Sequence, residues 1–149
     1  MDSKEIKEKE RIRRESVLAH HGVRPTAMRT LVYSAIEDMG CAFGVHDIEQ
    51  ALDTADRSTI FRTISLFVDH HLLHHVEDGS GEKKYCLCRH EEENCVSEMH
   101  CHFYCERCGV TRCLEDVHVP QVSLPKGYRV YGVEYLLRGI CPRCATQED

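Results

Sequence analysis

Apolar positions along the chain follow helical spacing first and strand spacing later. Residues 1–20 are dense in opposite charges three or four apart, over a thin apolar stripe of Ile6, Ile12, Val17 and Leu18. This is the pattern of a solvated helix, and Gly22 ends it. Thr26 can cap a second helix in which Leu31, Val32, Ala35 and Ile36 recur on one face, closed by Gly40. A short third helix fits His46 to Leu52. A fourth, capped by Asp56 or Ser58, places Ile60, Ile64, Phe67 and Val68 on one side. Then Leu72 to Val76 and Lys84 to Leu87 read as strands joined at Asp78-Gly79-Ser80-Gly81, a hairpin signal. Arg89 to Asn94 is a charge run without periodicity and reads as a linker. Beyond it His100 to Cys105, Val110 to Leu114 and Tyr128 to Leu137 read as strands, and Pro120 and Pro125 allow at most a short helical turn between the last two.

The expected fold class is therefore α+β. A winged helix-turn-helix spans 1–88, a hinge 89–96, and a β-rich second domain 97–149. The fourth helix takes the place of the recognition helix. Its polar side carries Thr59, Arg62 and Thr63, flanked by Arg57 and Phe61. Arg bonds guanine bidentately, Thr reaches either base class, and an aromatic ring touches a thymine methyl. An amphipathic helix with an ordinary polar side fits the same spacing.

Charge alters this picture in one respect. The net charge is −6, and residues 1–80 hold 10 Lys and Arg against 14 Asp and Glu, so a DNA-binding face must be a local basic patch. Cysteine alters it more. Ten occur in 149 residues, with no export leader and no apolar run near the roughly 18 residues of a membrane span. A cytoplasmic protein that uses thiols for metal is expected, with no membrane contact.

Cys105-x2-Cys108 and Cys141-x2-Cys144 form two knuckles 32 residues apart. Each CxxC turn places two thiolates at adjacent corners of a tetrahedron, and two turns close a four-thiolate site with no open position. A structural Zn2+ is expected there, held apart from redox use because neither pair follows a strand in a βαβ unit. Just upstream, His100 and His102 share one face of a strand and can converge on one ion. Other soft donors, Cys86, Cys88 and Cys113 among them, lie nearby in sequence, whereas Cys101 points away from the two histidines. No catalytic triad, phosphate-cradling loop or poised general base accompanies these donors, so neither an enzyme nor a small-molecule substrate is expected. A switch in which Cys41, Cys95 and Cys101 form disulfides is the alternative of a different class.

From about Val23 to Cys144 the chain resembles the ferric uptake regulator superfamily of metal-responsive repressors. The resemblance rests on Arg24-Pro-Thr-x-x-Arg29, Ser58-Thr-Ile-Phe-Arg-Thr63, His100-x-His-x-x-Cys-x-x-Cys-Gly109 and Glu134-Tyr-Leu-Leu-Arg-Gly-Ile-Cys-Pro-x-Cys144. It implies a winged-helix domain hinged to an α/β dimerisation domain, and a homodimer that binds a double-stranded operator. Phe61 and Arg62 match the aromatic–arginine pair of the recognition helix, and Arg24 the basic residue that reaches the minor groove. A second, regulatory metal between the domains would be held by His74, Cys88, His100 and His102, with Cys86 and Cys113 as alternates. Ala42 stands where iron and peroxide sensors often have histidine, and Cys113 where many members have a carboxylate. Thiolates in that shell favour Zn2+ over Fe2+ or Mn2+. The expected function is zinc-responsive repression of metal-uptake genes, with an iron or peroxide sensor of the same superfamily as the alternative.

Overall fold

The computed structural model describes residues 2–40, 42–87, 101–114, 117, 119–120, 122–130 and 134–147. The hinge expected at 89–96 lies outside them. The first half is four helices and a hairpin: α1 (Ser3–His20), α2 (Ala27–Met39), α3 (Val45–Ala51), α4 (Arg57–Asp69), β1 (Leu73–Val76) and β2 (Lys84–Leu87). The expected signals set the helix ends. Thr26 accepts from the Arg29 backbone N–H at 3.2 Å, and Gly40 closes α2 in the left-handed region at φ +62°. Of the two candidate caps for α4, Asp56 serves, accepting the Thr59 N–H at 2.8 Å. Leu18, Val32, Ile36, Ile48, Ile60, Ile64 and Phe67 form one core with Leu72, Leu73 and Tyr85 of the hairpin. Arg13 and Arg14 both pair with Glu37, fastening the charged first helix to α2.

The second half is a three-stranded sheet in the order β4-β3-β5, with β3 (Cys101–Cys105), β4 (Thr111–Leu114), β5 (Tyr135–Gly139) and a short α5 (Pro142–Ala145). β3 runs antiparallel to β4 and parallel to β5. The strand expected over Tyr128 to Leu137 is thus shifted: it begins at Tyr135 and runs on to Gly139. Its pairing with β3, which ends on Cys105 opposite Gly139, fixes this register. Tyr128 and Val130 are exposed and outside any strand.

The β1–β2 hairpin docks against the β3–β4 hairpin through polar contacts. Asp78 and Lys84 form an ion pair at 2.6 Å in which Asp78 is 1% and Lys84 9% exposed. The Thr111 hydroxyl donates to Asp78 Oδ2 at 2.7 Å, and Lys84 Nζ to the Gly109 carbonyl at 3.2 Å. The ammonium also sits over the Tyr104 ring. Burial alone would raise the Asp78 carboxyl, but bonds from Lys84, Ser80 and Thr111 outweigh it and hold the group well below the usual carboxylate range. The Ala42 N–H donates to the Thr111 carbonyl at 3.0 Å. Gly79, at φ +77°, lies flush beneath the Arg138 guanidinium, where any Cβ would collide with it.

Candidate metal centres and nucleic-acid face

The β3–β4 turn carries Cys105 and Cys108; the segment after β5 carries Cys141 and Cys144. Because β5 lies beside β3, residues far apart in sequence meet at one end of the sheet. The four Sγ atoms all lie within 4.8 Å of one another, and Cys108 and Cys141 are 3.9 Å apart. A tetrahedron with Zn–S near 2.3 Å has edges of about 3.8 Å, so the donor set fits zinc. Pro142 opens α5, where its missing N–H costs nothing, and Cys141 is the N-cap. The Cys105 sulfur receives N–H bonds from Cys108 at 3.5 Å and Cys141 at 3.4 Å. These donors hold its thiol below the usual cysteine range, whereas burial and the three neighbouring thiols push Cys144 up. Four thiolates cannot share this space without a cation. Cys105, Cys141 and Cys144 are also the buried cluster of this half, with only Phe103 packed against it among the described residues.

A second group forms where the two hairpins face each other. His74 on β1 stands opposite Cys86 on β2, and His102 on β3 closes the set, all three ligand atoms lying within 4.8 Å. The His74 and His102 rings are 5.8 Å apart. Cys113 is the cross-strand partner of His102 and packs with Cys86, Ala42 and Val76. Of the expected ligands, the structure therefore brings together His74 and His102 with Cys86, the alternate; Cys88 and His100 lie outside the described residues. Residues two apart on a strand share a face, so the sequence does not separate Cys86 from Cys88. Two imidazoles with one or two thiolates form a donor set suited to zinc.

The described cysteines form no disulfide among themselves. Cys41 and Cys95 lie outside the described residues. Cys101 is buried, and that burial, followed by the nearby Cys113, raises its thiol, the reverse of a reactive thiolate.

In the helical half, α3, α4 and the β1–β2 turn enclose an open cleft of about 810 Å³, lined in part by His46, Arg57, Phe61, Arg62 and Lys83. Phe61 is 46% exposed, unusual for a phenylalanine with no packing duty. Arg62 and Arg24 are exposed. Arg57 pairs with Glu49 at 3.2 Å. Thr59 is half-buried at the start of the helix. Thr63 corrects the expectation: it is 7% exposed, and its hydroxyl donates to the Thr59 carbonyl at 2.8 Å. It faces the core because it lies three positions after Ile60 and four before Phe67, on the buried face of α4. His46 and Lys83, which the sequence reading passed over, line the same cleft; a lysine in a hairpin turn carries no signal of its own.

Residues 20–133 match the family model described as the ferric uptake regulator family. No curated protein sequence matches the chain. Among solved structures, a zinc uptake regulator in complex with zinc and DNA superimposes with TM-score 0.64 at 18% identity, over 95% of this chain and 96% of that one. A zinc-bound manganese uptake regulator gives 0.60 at 18%, over 86% and 98%. The ferric uptake regulator of Helicobacter pylori, described with three functional metal sites, gives 0.58 at 14%, over 95% of each.

Proposed function

Because the chain belongs to the ferric uptake regulator family, whose members are transcription regulators and not enzymes, we propose that it is a zinc-responsive, homodimeric repressor of metal-uptake genes. The observation that carries this reading is the division of one donor set between two hairpins. His74 and Cys86 come from the hairpin of the helical half and His102 from the hairpin of the sheet half, with Cys113 packed beside them. A divalent ion bound there supplies bonds that exist only while the hairpins face each other. These three residues thereby favour one arrangement of the halves, and occupancy shifts the population toward it. Arg62, Phe61 and Arg57 project from α4 toward the major groove, with Arg24 beside them and Lys83 and His46 toward the phosphates. Exposed Val122, Leu124, Tyr128 and Val130 in the second half supply apolar surface for a partner copy. The thiol-rich ligand set supports a cytoplasmic setting; among the described residues no helix is long and apolar enough to cross a membrane.

A site selected from random DNA with the zinc-loaded protein, then titrated with buffered Zn2+, Fe2+ and Mn2+ by fluorescence anisotropy, tests the reading. Zinc should tighten binding at the lowest free concentration. Full tightening by Fe2+ or Mn2+ but not by zinc would refute the metal assignment, and indifference to all three would refute the regulator. On the same site Arg62→Ala should cost about 1–2 kcal/mol. Thr63→Val should change affinity by less than about twofold, because that side chain bonds its own helix. Equal losses would return Thr63 to the DNA face.

A further inference from the structure

The two hairpins meet at two levels. In β1–β2 the pair Val76–Lys84 lies nearest the turn and His74–Cys86 two residues further along. In β3–β4 the pair Tyr104–Thr111 lies nearest the turn and His102–Cys113 two residues further along. Two residues of strand are about 7 Å. The hairpins are thus in register across their interface. Lys84 and Asp78 face Tyr104, Thr111 and Gly109 at one level, and His74 and Cys86 face His102 and Cys113 at the other. The first level is complete from protein groups alone: a buried ion pair, a hydroxyl donor and a backbone acceptor. The second is a set of donors. Attachment at one level leaves a rotation about it; attachment at both removes that rotation.

We propose that Asp78 and Lys84, with Thr111, are positioning residues that hold the helical half on the sheet half in the absence of the regulatory metal, and so set the zinc concentration at which DNA binding begins. The argument rests on the regulator reading and extends it. A ligand set split between two bodies binds tightly only if those bodies are already apposed, since the cost of bringing them together otherwise falls on the metal. Gly109, which accepts from Lys84, directly follows Cys108, so the pivot stands on the rigid four-cysteine knuckle.

The test uses the full chain with its four-cysteine site loaded and the weaker metal removed by a moderate chelator. The double variant Asp78→Asn with Lys84→Met removes both charges together, leaving no unpaired buried ion. The amide of Ala42, which donates to Thr111 across the interface, reports the pivot by hydrogen exchange; the amide of Ile64, inside α4, reports the fold. The variant should lose about tenfold or more protection at Ala42 and none at Ile64. The free zinc at half-maximal DNA binding should rise by about tenfold, while affinity at saturating zinc stays within about threefold. Thr111→Val, which keeps both charges, should move both readouts in the same direction by less, and serves if the double variant does not fold. Unchanged Ala42 exchange overturns the pivot. If the wild type shows no zinc-dependent DNA binding, the regulator reading fails while the exchange result still decides the pivot.

Discussion

Cys141→Ser is expected to unfold the second half of the chain and release its tightly held zinc. The buried cluster described for that half is built from Cys105, Cys141 and Cys144 with Phe103 against it, so the ligands are also its core. A structural four-ligand zinc contributes an apparent binding free energy of about 10–16 kcal/mol near neutral pH, and for a small sheet this is folding free energy. Losing one thiolate removes a ligand and leaves three thiols whose packing presupposed a cation. The Cys105 sulfur, which accepts the Cys141 N–H, loses its register as well. The measurements are zinc content after gel filtration and the thermal transition by circular dichroism. Cys101→Ser is the control: that thiol is equally buried but outside the cluster, and the variant should keep its zinc. A Cys141→Ser protein with full zinc and a native transition would show the cluster to be dispensable.

His102→Ala is expected to abolish the zinc-dependent gain in DNA affinity while leaving the fold and the four-cysteine zinc intact. Coupling between a metal and a second ligand is typically 5- to 150-fold, and the whole of it should disappear. His74→Ala should give the same result from the other hairpin. The two losses should not add, since either one empties the same site. The readouts are operator affinity with and without zinc, metal stoichiometry and thermal stability. A His102→Ala protein that still responds to zinc would place the regulatory site elsewhere.

Much of this was legible in the chain because each signal was local. Thr26 and Asp56 mark helix starts through bonds to residues three away, Gly40 marks an end through its left-handed backbone, and the two CxxC pairs carry their own turn geometry. What the sequence left open depends on pairing between distant segments. Alternation along a strand does not choose between Cys86 and Cys88, and only the docking of the two hairpins puts Cys86 beside His102. Asp78 reads as a turn residue and Lys84 as an exposed strand charge, and nothing in their neighbourhood announces that the two will be buried against Thr111. The β-branched and aromatic run predicts a strand from Tyr128, yet Tyr128 to Val130 meet no partner strand among the described residues and β5 begins at Tyr135. Thr63 looked polar and available; its hydroxyl was taken by its own helix.

The parallel pairing of β3 with β5 also bears on the order in which a nascent chain can mature. The helical half has its own apolar core by Leu87, and it can consolidate while the remainder is still being made. The sheet cannot. Cys105 waits for a strand that begins thirty residues later and for thiols at 141 and 144, so its metal site closes only when nearly all of those residues have emerged. Until the β3–β4 hairpin arrives, Asp78 and Lys84 have each other and the Ser80 N–H but none of the contacts from Tyr104, Gly109 and Thr111. Zinc capture thus reports that synthesis has passed Cys144: a chain arrested before Cys141 offers two of these four thiols, and its helical half has no finished base to stand on.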